Sequence, residues 1–325
     1  MDSSRPAPLA LDGEGDDIEL VALSRPALRQ ADGLVGLARL HTRTHDTTAT
    51  KATPQAPPQR PADWLAVKLR RECVDLSVSL IARPRSHAGA DPSSWLGFAL
   101  AGLPPSLPGT ARMSGMGVVP AARGRGLARR MLQQLEIHLA GRAAQLRCLS
   151  EPRREAMYRH LGFTVQRRIA TVAALGTGDA TSLQMDGPPP SVDALSSCGW
   201  LAETWSRSPD DRRRVWVGRV PTGLPAVDAT TAAGAGARAW LTWEGPALLV
   251  HGLEAGKDEA HGTRGPLSRA ARALASLRAE IHPRTPVLVY GWPDDPDALA
   301  LLTGQGWSVV QRGAVMTRAI ATDGA

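Results

Sequence analysis

The spacing of hydrophobic positions along the first half of the chain predicts alternating strands and helices. Residues 18–23 alternate apolar and polar side chains, as a half-buried strand does. In residues 127–139 an apolar side chain recurs at every fourth position, which predicts an amphipathic helix that Gly141 ends. The other predicted elements are helices over 26–40, 64–73 and 152–161 and strands over 75–82, 94–103, 111–119, 145–149 and 163–175. This order predicts the α/β class, with a mixed sheet flanked by helices.

A second series of elements follows a stretch rich in glycine and proline. Its predicted helices cover 194–206, 267–281 and 296–302, and its strands cover 214–220, 237–243, 247–253, 287–290 and 308–318. Their order repeats the later part of the first series, which indicates two copies of one module. The predicted division is a disordered tail at 1–17, a first module at 18–175, a linker at 176–192 and a second module at 193–321.

The basic charge of the chain does not by itself indicate a nucleic-acid partner. The net charge is +7, but the arginines are scattered along the sequence rather than gathered in one stretch. No apolar run reaches the length of a membrane-spanning helix, and the N-terminus lacks the basic start and apolar stretch of a signal peptide. These features predict a cytoplasmic globular protein without a membrane or nucleic-acid partner.

The cysteines and histidines do not have the spacing of a metal site. The three cysteines lie far apart and lack a CxxC pair, which predicts reduced core residues. His41 and His45 have the spacing of a zinc-binding helix, but Thr42 stands where such a helix carries its glutamate. We therefore predict no metal cofactor.

A glycine-rich segment at residues 118–128 joins a predicted strand to the 127–139 helix. Its sequence is Val-Val-Pro-Ala-Ala-Arg-Gly-Arg-Gly-Leu-Ala. A turn of this kind presents backbone N–H groups and the positive end of the helix to a ligand, which suits a pyrophosphate. Gly124 and Gly126 let the backbone approach the ligand closely. Neither a Walker loop nor a Rossmann fingerprint fits, since no GxxxxGK string exists and Arg129 replaces the third small residue.

This segment resembles the R/Q-x-x-G-x-G/A signature of the GCN5-related N-acetyltransferase (GNAT) superfamily. A second element agrees with it, because residues 156–163, Ala-Met-Tyr-Arg-His-Leu-Gly-Phe, resemble the family's A-x-Y-x-x-L-G-F segment. The resemblance covers the first module and implies a mixed-sheet fold that binds acetyl-CoA as a co-substrate. It also implies that a substrate amine attacks the thioester directly.

The resemblance assigns a role to each motif residue. The backbone of Val118 and Val119 would hydrogen-bond the pantetheine arm, and Tyr158 would protonate the departing thiolate. The pyrophosphate would be held by Arg123, Gly124, Arg125, Gly126, Leu127 and Ala128. A phenol, with an ordinary pKa of about 10, is suited to donating a proton at neutral pH.

The sequence departs from the family pattern where a general base is expected. The strand before the loop offers Ser114 and methionines in place of the family's glutamate, and Glu151 replaces an asparagine. No base is therefore assigned. Four titratable residues lie in segments that border the substrate side in the family, namely His41, His45, Glu72 and Asp75. Each of them also fits an ordinary surface or capping role.

The second module lacks both chemical features of the first. Pro266 falls where an N–H donor of the phosphate loop is needed, and Leu302 occupies the tyrosine position. We therefore predict a degenerate, non-catalytic copy. The predicted function is transfer of an acetyl group to a small-molecule or peptide amine, by a monomer or homodimer. The alternative is a catalytically silent acyl-CoA-binding regulatory or interaction protein.

Overall fold

The computed structural model describes residues 17–23, 33–44, 65–66, 68–70, 72–87, 91–104, 107–178, 214–219, 236–244, 246–255 and 266–321. In the first half the elements are β1 (Ile18–Ala22), α1 (Gly33–Thr44), β2 (Leu80–Pro84), β3 (Gly97–Gly102), β4 (Thr110–Val118), α2 (Leu127–Leu139), β5 (Gln145–Ser150), α3 (Pro152–His160) and β6 (Thr164–Leu175). In the second half they are β7 (Arg214–Arg219), β8 (Gly236–Glu244), β9 (Ala247–Ala255), α4 (Pro266–Ala279), β10 (Pro286–Pro293), α5 (Pro296–Thr303) and β11 (Ser308–Ala319).

The mixed α/β arrangement predicted from the sequence is confirmed. Helix α2 has the predicted bounds, and its apolar stripe is buried. The predicted helix at 26–40 is observed from residue 33 as α1, which ends four residues later than predicted, and residues 26–32 lie outside the described part. The predicted helix at 194–206 and most of the predicted tail at 1–17 lie outside the described residues. None of the helices that the structure describes is long and apolar enough to cross a membrane.

The predicted strand at 75–82 is wrong in its first part, because Asp75 forms a turn. Its Oδ1 accepts hydrogen bonds from the backbone N–H of Ser77 at 2.9 Å and from the Ser77 hydroxyl at 2.6 Å. Arg142 donates to Oδ2 at 2.5 Å. Burial alone would raise the pKa of Asp75, but these hydrogen bonds hold it below its usual value. Asp75 thus stabilises the turn that precedes β2.

The described strands form one sheet in the order β1-β2-β3-β4-β5-β11-β6-β10-β9-β8-β7. The last strand of the chain, β11, lies between β5 and β6 and is antiparallel to both. Strand β6 lies between β11 and β10. Each half of the chain therefore places its last strand inside the sheet of the other half. The division of the chain at 176–192 stays a prediction, since residues 179–213 lie outside the described part.

Each of the two hydrophobic cores also contains side chains from both halves of the chain. One core surrounds α2 and includes Ala314 and Met316 of β11. The other surrounds α4 and includes Ala170 and Val172 of β6. Full burial of a Leu, Val or Met side chain stabilises a fold by about 1.5–3 kcal/mol, so each half depends on a strand of the other for part of its core.

Candidate active site

Strands β4 and β5 pair at one end and separate at the other. Their parallel pairing consists of three pairs, Thr110 with Gln145, Ala111 with Leu146, and Arg112 with Arg147. Strand β4 continues to Val118 and β5 to Ser150 with no further pairing between them in the described residues. The two strands therefore leave an opening at their carboxyl ends, where ligands bind in open α/β sheets.

A β-bulge lies where β4 leaves β5. Against β3, Gly115 pairs with Leu100 and Met113 pairs with Ala101, so Ser114 is an extra residue without a partner on β3. A bulge bends its strand and increases the local twist. The bulge at Ser114 thus gives a physical reason for the separation of β4 from β5.

The residues after β4 turn sharply before α2 begins. Val119 is buried, and its N–H donates to the carbonyl of Leu96 at 2.9 Å. The carbonyl of Val118 accepts from the Nε of Arg123 at 3.1 Å. The Val119 N–H and the Val118 carbonyl thus already hold hydrogen bonds within the protein. The contact of these two residues with the pantetheine arm stays a prediction.

Both glycines of the loop have a left-handed backbone. Gly124 has φ +76° and Gly126 has φ +71°, the left-handed region that glycine adopts without steric cost. A Cβ at either position would meet no atom within 4 Å, so the space beside both is open. Gly126 is the N-cap of α2, whose first N–H groups lack partners within the helix.

Leu127 and Ala128 contribute backbone rather than side chains. The Leu127 side chain is buried in the core and that of Ala128 is half-buried. The N–H groups of this first turn and the helix dipole together form an anion-binding arrangement.

Arg123 has a structural contact that the sequence did not predict. Its Nη2 donates to the carbonyl of Thr44, the last residue of α1, at 3.2 Å. Together with the bond to Val118, this contact ties the loop to α1. Arg125 is exposed on the loop, as the predicted rim position requires.

Further basic residues surround the same end of the sheet. Arg129 is exposed in the first turn of α2, Arg153 is exposed in the first turn of α3, and Arg154 beside it is half-buried. Both helices begin at the carboxyl ends of β4 and β5, so these guanidinium groups gather on the side of the opening. This charge favours a polyanionic ligand.

Tyr158 lies on α3, the helix that follows β5. Its side chain is 6% exposed, and its ring meets that of Phe163 edge-on with centroids 5.5 Å apart. Burial raises the pKa of the Tyr158 hydroxyl above its usual value, and the neighbouring Cys148 thiol raises it further. Burial also raises the pKa of Cys148 to about 12. The Tyr158 hydroxyl therefore keeps its proton at neutral pH, as a general acid must.

Helix α1 lies over β4 on the wall of the opening. The ring of His41 stacks on that of Phe98 with centroids 5.5 Å apart. A Cβ at Gly117 would come within 2.9 Å of Phe98 and 2.3 Å of the Thr44 hydroxyl, so the helix packs directly on β4 there. Among the titratable candidates, His41 is thus placed beside β4. His45 lies outside the described residues.

The other two titratable candidates lie elsewhere. Glu72 pairs with Lys68 at 2.6 Å, and its carbonyl lies against Gly102. Gly102 pairs with Arg112 near the start of β4, at the opposite end from the opening. Asp75 belongs to the turn before β2 described above. In the part of the chain that the structure describes, no group of three or more metal-ligating side chains is placed to hold an ion.

The sequence analysis missed the bulge at Ser114, the tether from Arg123 to Thr44 and the stacking of His41 on Phe98. One signal for the bulge was present, because glycines inside a strand often mark a bulge or a close approach, and Gly115 and Gly117 follow Ser114. The other two contacts join residues far apart in sequence, for which no local pattern exists.

The family comparison matches residues 93–165 to a model described as an acetyltransferase (GNAT) domain. No curated protein matches the sequence. Residues 93–165 contain β3, β4, the glycine loop, α2, β5 and α3. The match therefore covers the two strands of the opening, the glycine loop and the helices that follow these strands.

Solved structures of low sequence identity share the fold over nearly the whole chain. A Pyrococcus horikoshii protein assigned as an acetyltransferase has a TM-score of 0.59 at 12% identity, covering 97% of this chain and 94% of its own. A GCN5-related N-acetyltransferase from Sphaerobacter thermophilus has a TM-score of 0.55 at 13% identity, with 94% and 96% covered. A tandem GNAT protein from the clavulanic acid biosynthesis pathway has a TM-score of 0.52 at 16% identity, with 94% and 99% covered.

At these identities the solved structures establish the fold alone, and the family match concerns residues 93–165. The degeneration of the second copy stays a prediction. The resemblance found in the sequence is confirmed over residues 93–165 by the match to a GNAT acetyltransferase domain, and the fold is one that these solved structures share.

Proposed function

We propose that this chain is an acetyl-CoA-dependent N-acetyltransferase whose first half transfers the acetyl group to a primary amine. The observation that carries the proposal is the opening between β4 and β5, which ends at a loop with two left-handed glycines and the N-terminus of α2. An extended thioester arm fits between separated strands, and a pyrophosphate fits the loop. The basic side chains around the opening match the charge of coenzyme A.

The proposed reaction is direct attack of the amine on the thioester carbonyl. The new C–N bond forms as the C–S bond breaks, and the sulfur takes a proton from the Tyr158 hydroxyl. The amine loses one proton to a base or to water, from which Tyr158 is reprotonated. Alignment of both reactants in one opening supplies a large part of the acceleration, and a backbone N–H of β4 would stabilise the oxyanion.

The acceptor is proposed only as a small-molecule or peptide amine. His41, stacked on Phe98 of β3, is proposed as a titratable side chain on the side from which an acceptor would approach. We do not assign it as the base. Action in the cytoplasm, as a monomer or homodimer, remains part of the prediction from the sequence.

The second half is proposed to be non-catalytic. Leu302, at the position that corresponds to Tyr158, is fully buried and has no proton to donate. Helix α4 starts at Pro266, which lacks an N–H for a phosphate. One donor site per chain is therefore expected.

The alternative function is an acyl-CoA-binding regulatory or interaction protein. It is favoured by one observation, namely that β4 has the sequence TARMSGMGV and contains no carboxylate to act as a base. Donor binding without turnover would follow if no other group takes the amine proton.

Replacing Tyr158 by phenylalanine tests the two functions. We expect Tyr158→Phe to leave the acetyl-CoA affinity within about two-fold of the wild-type value. The rate of CoA thiol release in the presence of a panel of primary amines should fall by about 100-fold or more, since general acids contribute about 10²- to 10⁴-fold to reaction rates. Calorimetric titration measures the affinity, and a thiol reagent measures the rate.

Tyr290→Phe is the matched control, because Tyr290 is the other of the two tyrosines and lies on β10 in the second half. It should retain the wild-type rate. Acetyl-CoA binding without thiol release in the wild type would favour the regulatory alternative, and absence of binding would contradict both.

A further inference from the structure

Ser114 carries a buried hydroxyl that has no hydrogen-bond partner. The residue is 7% exposed, and its Oγ lies among the buried side-chain atoms without a partner in the described structure. Two other buried serines show the usual situation. The Ser79 Oγ donates to the Asp75 carbonyl at 2.8 Å and accepts from the Ala101 N–H at 3.1 Å. The Ser150 Oγ donates to the Glu151 carbonyl at 3.0 Å.

An unpartnered buried hydroxyl is unfavourable for folding, because it has lost its hydrogen bonds to water without replacement. Such groups are rare in folded proteins and call for a physical account. A ligand that supplies the missing partner is one such account.

The position of Ser114 favours a ligand. It is the extra residue of the β4 bulge, and it lies beyond Arg112 and Arg147, the last pair between β4 and β5. The hydroxyl therefore belongs to the stretch of β4 that borders the opening. Its neighbours Met113 and Met116 are buried and offer no hydrogen-bond partner.

We propose that the Ser114 hydroxyl binds the acyl donor by donating a hydrogen bond to a carbonyl oxygen of its thioester arm. This inference rests on the proposed function, in which the arm lies along β4. A carbonyl buried against this stretch of β4 loses its own water and requires a donor. The serine hydroxyl thus gains an acceptor, and the carbonyl of the arm gains a donor.

Ser114→Ala tests this role, because binding and stability should change in opposite directions. Removing an unpartnered buried hydroxyl should leave the unfolding temperature unchanged or raise it, while acetyl-CoA affinity falls by about three- to ten-fold, the usual effect of one neutral hydrogen bond. Calorimetric titration and thermal unfolding of the full chain give the two quantities.

Ser79→Ala is the matched control, since it removes a fully bonded buried hydroxyl from outside the opening. It should lower the unfolding temperature and leave the affinity unchanged. Ser114→Cys keeps a side chain of similar size but offers a weaker hydrogen-bond donor, so its acetyl-CoA affinity should also fall. This variant replaces Ser114→Ala in the test if the alanine variant does not fold.

Wild-type affinity at Ser114→Ala, or a lower unfolding temperature without loss of affinity, would overturn the role of Ser114. The wild-type titration separately tests the proposed function, because absence of acetyl-CoA binding there would contradict that function whatever the variants do.

Discussion

At the scale of single residues, burial determines what Tyr158 can do. The hydroxyl is almost fully enclosed and lies beside the Cys148 thiol, which is itself buried. Both groups are acids, so an apolar setting favours the neutral form of each. Tyr158 is therefore suited to giving a proton to a departing thiolate and unsuited to accepting one from an amine.

We expect the ionisation of Tyr158 in the folded protein to begin only above the ordinary tyrosine pKa of about 10. Its folded pKa is raised, so the stability associated with the neutral phenol is complete below about pH 10 and is lost as the pH rises toward the folded pKa. Subtracting the alkaline absorbance titration of Tyr158→Phe from that of the wild type isolates this one ionisation. A difference curve with its midpoint at about 10 would contradict the prediction.

At the scale of residues, the sequence is informative where the signal is local. A motif singled out Gly124 and Gly126, and the structure adds that both have a left-handed backbone. The second role of Arg123 could not be predicted, because its guanidinium bonds to Thr44, 79 residues earlier. A charged residue in a motif can serve the ligand, the fold or both, and only the tertiary contact separates these roles.

At the scale of elements, the turn between β4 and α2 depends on glycine for its shape. Gly126 caps α2 with φ +71°, and Gly141, just beyond the other end of the same helix, also has φ +71°. A Cβ at either position meets no atom within 4 Å. The two glycines thus have the same conformation and equally open surroundings, but only Gly126 lies at the proposed phosphate site.

We expect Gly126→Ala and Gly141→Ala to destabilise the fold to a similar extent, about 1–2 kcal/mol, since each places alanine in the left-handed region. Only Gly126→Ala should weaken acetyl-CoA binding, by about ten-fold or more, because its Cβ would occupy the space next to the phosphates. Denaturant unfolding and calorimetric titration measure the two effects. Equal loss of affinity in both variants would contradict a phosphate site at Gly126.

The elements themselves were predictable wherever one face is continuously apolar. The bounds of α2 followed from its buried stripe, and β11 differs from its prediction by one residue at its end. The prediction for β2 began too early, because residues 75–79 alternate like a strand but are held in a turn by Asp75. Helix α1 extends to Thr44, beyond its predicted end at residue 40, and no local signal in the sequence marks that extension.

At the scale of the whole molecule, the exchange of β6 and β11 joins the halves into one sheet. This exchange was not predictable, since the apolar pattern of β11 suits any pair of neighbours that buries it. One side chain of β11 also bonds to two helices of the first half. Arg318 pairs with both carboxylate oxygens of Glu136 on α2, at 2.5 and 3.0 Å, and donates to the Leu161 carbonyl at the end of α3.

Because β11 belongs to the hydrogen-bond network of both halves, we expect the chain to unfold in a single cooperative transition. Arg318→Ala should lower the free energy of unfolding by about 1–3 kcal/mol, since it leaves a partly buried carboxylate and a helix-terminal carbonyl without their donor. Scanning calorimetry would show one peak that moves to lower temperature as a whole.

Gln311→Ala is the control on the same strand, because Gln311 and Glu151, to which its amide donates at 3.4 Å, are both exposed. Removing an exposed hydrogen bond of this kind should change stability by less than about 1 kcal/mol. Two calorimetric peaks, of which Arg318→Ala shifts one alone, would mean that the halves fold separately in spite of the shared strands. A single peak that shifts with Arg318→Ala and hardly moves with Gln311→Ala would mean that the second half, catalytic or not, is required for the stability of the first.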